Sequence, residues 1–121
     1  MSMNVEVKEQ WVAALESGEY EQGKNYLHSG TRFCCLGVLT DLYMKAHPEQ
    51  GGWTPRDSST EVATFFFGPD KEDYSVLPIA VRDWAGLDAA SPLIEDEHLT
   101  DTNDNGASFV KIAHLIKGSD L

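Results

Sequence analysis

Residues 33–44 read FCCLGVLTDLYM. How this stretch folds decides the architecture, because it is the longest nearly continuous apolar segment in the chain. A buried strand is one reading. Twelve residues followed by KAHP (45–48) favour a buried helix that ends before Pro48, since a proline disfavours helix in the residue ahead of it. Gly37 inside such a helix costs about 1 kcal/mol relative to alanine. Its presence therefore points to another backbone packed closely against that position.

Outward from this helix, Val7, Trp11, Ala14 and Leu15 recur at helical spacing and Gly18 follows as a stop, which predicts an amphipathic helix over 4–17. SGEYEQGKNYLHSGTRF (17–33) is polar, aromatic and glycine-punctuated, with Ser29-Gly30 as a two-residue hairpin turn. GGWTPRDSST (51–60) reads as loop. VATFFF (62–67) has the β-branched and aromatic content of a strand, and YSV (74–76) is its expected partner. LPIAVRDWAGL (77–87) predicts a short helix with Pro78 near its first turn, Val81 and Trp84 inward, and Gly86 as the stop. Phe109, Ile112, Ala113 and Ile116 lie at i, i+3, i+4 and i+7, the clearest helical stripe in the chain, predicting a helix over 107–117. The sum is an α+β fold: one compact domain over 1–121, with about four helices around a small antiparallel sheet.

The 121 residues carry 41% hydrophobic and 24% charged side chains, enough for a hydrophobic core without disulfides. No apolar run reaches the roughly 20 residues of a membrane span and the start is unlike a signal peptide, so a cytoplasmic protein without membrane contact is expected. Twenty acidic against nine basic residues give a net charge of -11. Such a field repels nucleic acid and favours basic partner surfaces. It suits either plain solubility or an inhibitor that mimics DNA in a basic groove.

Three constellations could carry chemistry. DTNDNG (101–106) matches the opening of a calcium loop, with Asp101, Asn103 and Asn105 at alternate positions and Gly106 at the turn. The twelfth position, which needs a bidentate Glu, is Ile112 on the apolar stripe, so no metal or cofactor is expected. Asn103, Asp104 or Asn105 instead reads as a cap for the last helix. Cys34 and Cys35 are adjacent ahead of a helix, where a thiol pKa can fall. A cysteine-dependent hydrolase with His98 and Asp101 as partners is the alternative reading, set against two ordinary core cysteines. Tyr20, Gln22, Lys24, Asn25, Tyr26 and Arg32 cluster around the expected hairpin. Their rings, amides and two cations suit a nucleotide-like ligand.

The same positions carry a resemblance. Trp11, Ser17-Gly18, Tyr20, Gln22-Gly23 and Leu27 lead into Phe33-Cys34-Cys35-Leu36-Gly37-Val38-Leu39 and Asp41. Leu77-Pro78, Trp84-Ala85-Gly86-Leu87, Asn103-Asp104, Gly106, Ser108-Phe109 and Ile112-Ala113 follow. Together these residues resemble a family of small proteins of tailed phages and prophages, with FCCLGVL as the most specific element. Glu16, Thr40 and Thr102 depart from the pattern, which has a basic residue, a third cysteine and a leucine there. The resemblance implies a phage setting in the bacterial cytoplasm. By analogy it implies an anti-defence role: a non-enzymatic protein that blocks a host protein or sequesters a nucleotide signal, with Asn103 and Asp104 beside the hairpin residues as ligand contacts and with homo-oligomers allowed.

Overall fold

A computed structural model describes residues 3–24, 26–49, 52–55, 62–66, 72–73, 77, 79–87, 92–94, 96–119 and 121. Within them the fold is α+β. The first helix, α1 (Val5–Glu16), starts where Asn4 accepts the Glu6 and Val7 backbone N–H groups, and it buries Val7, Trp11, Val12 and Leu15. Its apolar face lies against α5 (Phe109–Lys117) and α2 (Cys35–Ala46). The Trp11 indole is fully buried and donates to the Cys35 carbonyl at 2.9 Å, so its polar edge is satisfied while its rings fill the core.

The 33–44 stretch is indeed a buried helix, shifted two residues on. Phe33 ends a strand, and Cys34 is the helix N-cap, its sulfur accepting the Gly37 N–H at 3.4 Å. Cys35 through Asp41 are all buried. The glycine has the neighbour its sequence context called for: a Cβ on Gly37 would overlap the Leu27 backbone carbonyl. That carbonyl also accepts the Cys34 N–H at 3.2 Å, so the helix start is fastened directly onto the Leu27 main chain.

The larger sheet runs β1 (Glu21–Gln22), β3 (Arg32–Phe33), β2 (His28–Ser29), β5 (Val62–Phe66), β4 (Gly52–Pro55), with β6 (Glu72–Asp73) also paired to β5. It is antiparallel except between β1 and β3, which run parallel. The β2–β3 hairpin turns at Gly30-Thr31 rather than Ser29-Gly30, because Ser29 pairs with Arg32. Gly30 has φ 61° at the first loop position, as a type II′ turn requires. Two readings of the middle segment change. Residues 52–55, expected as loop, form a strand whose Pro55 sits at its end, where a missing N–H is tolerated. The described partner on the other side of β5 is Glu72–Asp73. The YSV segment and Pro78 lie outside the described residues.

Helix α3 (Ile79–Ala85) closes at Gly86 with φ 76°, and Leu87 N–H returns to the Arg82 carbonyl at 3.0 Å. Val81 is buried; Trp84 is only half-buried, its ring edge against Tyr43. A small hairpin of β7 (Leu93–Ile94) and β8 (Glu97–His98) then leads into α4 (Leu99–Asp104), a fifth helix beyond the four expected. The DTNDNG stretch is therefore the last turn of α4 and its exit. Gly106 takes φ 103°, and Ser108, not an Asn or Asp of the stretch, caps α5 by accepting the Lys111 N–H at 3.1 Å. Ile112 is fully buried, as are Ala113 and Ile116, and Phe109 is nearly so. No described helix is long and apolar enough to cross a membrane.

Candidate functional site

Asp41 stands on the second helical turn of α2 amid Leu36, Val38, Leu39 and Tyr43, all buried. Asp41 as a whole residue is only 5% exposed, so its carboxylate needs donors, and three reach it. The Tyr20 hydroxyl donates to Oδ2 at 2.6 Å and the Trp53 indole N–H donates to Oδ1 at 3.0 Å. Lys45, one turn along α2, brings its Nζ to 3.3 Å from Oδ2 and donates to the Tyr20 oxygen at 3.1 Å. The same ammonium lies 5.2 Å from the Tyr20 ring centroid, within cation–π range. Its side chain is 60% exposed, so it approaches the carboxylate from solvent.

Rings form the rim. Tyr20 meets Phe33 edge-on at 5.1 Å, His28 stacks on Phe33 at 4.1 Å, and Trp53 meets the His28 and Phe33 rings at 4.9 and 6.0 Å. These four rings are all half-buried. The sheet positions them: His28 and Phe33 are register partners on β2 and β3, and β4 carries Trp53 on the far side of β5. Burial raises the Tyr20 pKa, and the bond to Asp41 adds to it, so the phenol keeps its proton and remains a donor. Lys45 is raised first by its bond to Tyr20 and stays cationic. Burial lowers His28, against opposing effects of the Gly30 backbone and Asp41, and its buried Nδ1 has no hydrogen-bond partner among the described residues.

The residues singled out from the sequence divide into two groups. Tyr20 belongs to the Asp41 cluster. Gln22, Asn103 and Asp104 meet elsewhere, at the start of α2. Asn103 is fully buried; its Oδ1 accepts the Gln22 amide at 3.0 Å and the Cys35 backbone N–H at 3.2 Å. Its Nδ2 donates to the Gly23 carbonyl at 2.8 Å and to Asp104 at 3.2 Å. Gln22 donates also to the Ala107 carbonyl at 2.6 Å. These amides fasten β1, α2 and the α4–α5 turn together rather than face a ligand. Lys24 and Arg32 are exposed, Tyr26 is half-buried, and Asn25 lies outside the described residues.

The thiols are withdrawn from solvent. Cys34 is 3% exposed and Cys35 fully buried, and desolvation pushes Cys34 up to about 11 and Cys35 well above the usual thiol range. Cys35 Sγ points to the Leu99 carbonyl at 3.6 Å, while His98 is exposed at the start of α4. A nucleophile needs the opposite shift. Among the described residues no group of three His, Cys, Asp or Glu converges as metal ligands would.

Sequence reasoning missed His28, Phe33, Asp41, Lys45 and Trp53 as a cluster. One signal was present: Asp41 is the lone charge in FCCLGVLTDLYM, and Lys45 follows at i+4. A charge placed inside an apolar helix requires partners brought from elsewhere in the fold.

The family described as Domain of unknown function (DUF8296) matches residues 3–120, and the chain belongs to it. No curated protein and no solved structure matches the chain.

Proposed function

We propose that this DUF8296 chain is a non-enzymatic binding protein, phage-encoded as the FCCLGVL resemblance implies, that blocks a basic surface of a host factor in the bacterial cytoplasm. The observation that carries the reading is the Asp41 cluster: a carboxylate reached from solvent by a cation and rimmed by half-buried rings. Aromatic rings beside an anion are the chemistry that receives lysine or arginine side chains. The net charge of -11 supports it by drawing basic surfaces toward the whole molecule. Sequestration of a nucleotide is less favoured, because Gln22 and Asn103 are committed to internal hydrogen bonds. A thiol hydrolase is disfavoured by the burial of both sulfurs.

Affinity capture from host lysate tests this, with wild type and Asp41→Asn side by side. The expected result is a basic protein retained at low salt, released at high salt, and lost from the variant. Retention of no protein, or of one indifferent to both salt and the substitution, would overturn the proposal.

A further inference from the structure

Lys45 has more interactions than an exposed surface lysine needs. Its ammonium lies against the Asp41 carboxylate, pairs with no anion of another element among the described residues, and sits over the Tyr20 ring while donating to that ring's hydroxyl. The carboxylate itself is 8% exposed in its side chain, yet a side chain 60% exposed reaches it. Asp41 Oδ2 is thus within reach of a cation whose stem lies in solvent and whose charge lies over the Tyr20 ring, as those of Lys45 do. The other carboxylate oxygen is held by Trp53, which fixes the group's orientation whether or not Lys45 is in place. An i,i+4 pair whose cation stands in solvent is worth about 0–1 kcal/mol, so that cation is readily exchanged for a better one.

We infer that Lys45 is a built-in occupant of a cation subsite, and that an arginine side chain of a basic partner displaces it onto Asp41 and the Tyr20 ring. The inference rests on the proposed basic partner and specifies how that partner is held. Arginine suits the place better than lysine because its planar guanidinium stacks on an aromatic face and is more weakly hydrated. Displacement leaves Lys45 free in water, where its long side chain regains conformational freedom. The lysine thus sets a threshold: it keeps the buried carboxylate neutralised in the free protein and weakens binding of any cation that does not outcompete it.

The test titrates a tetra-arginine peptide at low salt into wild type, Lys45→Met and Lys111→Met, following the indole N–H signals by NMR. Lys111 is exposed on α5, so its replacement makes the same change in net charge away from the site. The expected result is that Lys45→Met binds about two- to fivefold tighter than Lys111→Met, with the Trp53 indole signal moving and that of buried Trp11 staying still. Asp41→Asn is expected to weaken binding about tenfold, whereas Glu6→Gln, on the exposed first turn of α1, leaves it near wild type. Equal affinity of the two lysine variants overturns the displacement while leaving a basic partner in place. Absence of peptide binding by all the proteins overturns both. Because Lys45 is exposed, its variant decides the question even if Asp41→Asn proves unfolded.

Discussion

Two polar clusters share helix α2 and serve opposite ends. At its start, Asn103 is buried completely and four groups, on Gln22, Gly23, Cys35 and Asp104, use its amide. Two turns along, Asp41 is nearly as buried and collects donors in the same way, from Tyr20, Trp53 and Lys45. The difference lies in what surrounds each. Asn103 is uncharged, and its partners are the Cys35 and Gly23 main chain, the Gln22 amide and the neighbouring Asp104 carboxylate, all of them groups packed within the fold, so its network is closed. Asp41 carries a charge, and one of its partners stands in water. A closed network around a neutral amide specifies the fold, whereas one around a charge with an exchangeable partner retains capacity for something else.

The largest expected effect tests the closed side. Gly37→Ala forces a methyl into the Leu27 carbonyl, and neither backbone can retreat without detaching α2 from the hairpin. A loss of about 4 kcal/mol or more is expected, enough to abolish a cooperative urea transition in a small domain. A stable, cooperatively unfolding variant would show that the contact at the start of α2 is looser than the geometry implies.

Asn103→Ala should come next, at about 3 kcal/mol in chemical denaturation, because the Cys35 N–H and the Gly23 carbonyl would be left without their partner. A cost under about 1 kcal/mol would place Asn103 with ordinary surface polar groups and remove the contrast with Asp41.

The smallest effect belongs to the ring rim. His28 has a lowered pKa in the folded protein because burial penalises its charged form. The unfolded chain, with an ordinary histidine pKa near about 6.5, therefore binds more protons below that pH. Stability from this group is complete above the unfolded pKa and declines as pH falls toward the folded one, by at most about 1.4 kcal/mol per pH unit. His28→Phe should flatten the decline, measured as urea midpoints across that window. An unchanged slope in the variant would mean that the imidazole at the rim is charged in the folded state.

Much of the helical framework was legible in the sequence. The stripe of Phe109, Ile112, Ala113 and Ile116 is intrinsic to local periodicity, and all four are buried. Gly37 announced a close backbone approach, and Leu27 supplies it. Strand β4 was not legible, because GWTP has a glycine and a proline and, among the described residues, takes its pairing from β5. DTNDNG showed the composition of a cap or a metal loop, yet Asn103 is turned inward by α4, a six-residue helix too short to announce itself by periodicity. Of the described binding residues expected around the hairpin, Tyr20 is placed at the Asp41 site; Gln22 and Asn103 became fasteners of the fold.

The amino-acid sequence alone determined which segments are apolar on one face, where the chain must bend at glycine, and that an excess of acidic charge surrounds the whole. Those properties act between near neighbours in the chain or through total charge, and so they survive without knowledge of contacts. Only the tertiary structure decided which polar groups are closed off and which stay exchangeable. That depends on partners far apart in the chain: Asn103 meets Gln22 and Cys35, and Asp41 meets Tyr20 and Trp53. Whether a buried oxygen is saturated by the backbone or left facing a lysine from solvent is settled by packing, because hydrogen bonds form only where the fold brings donor and acceptor within about 3 Å.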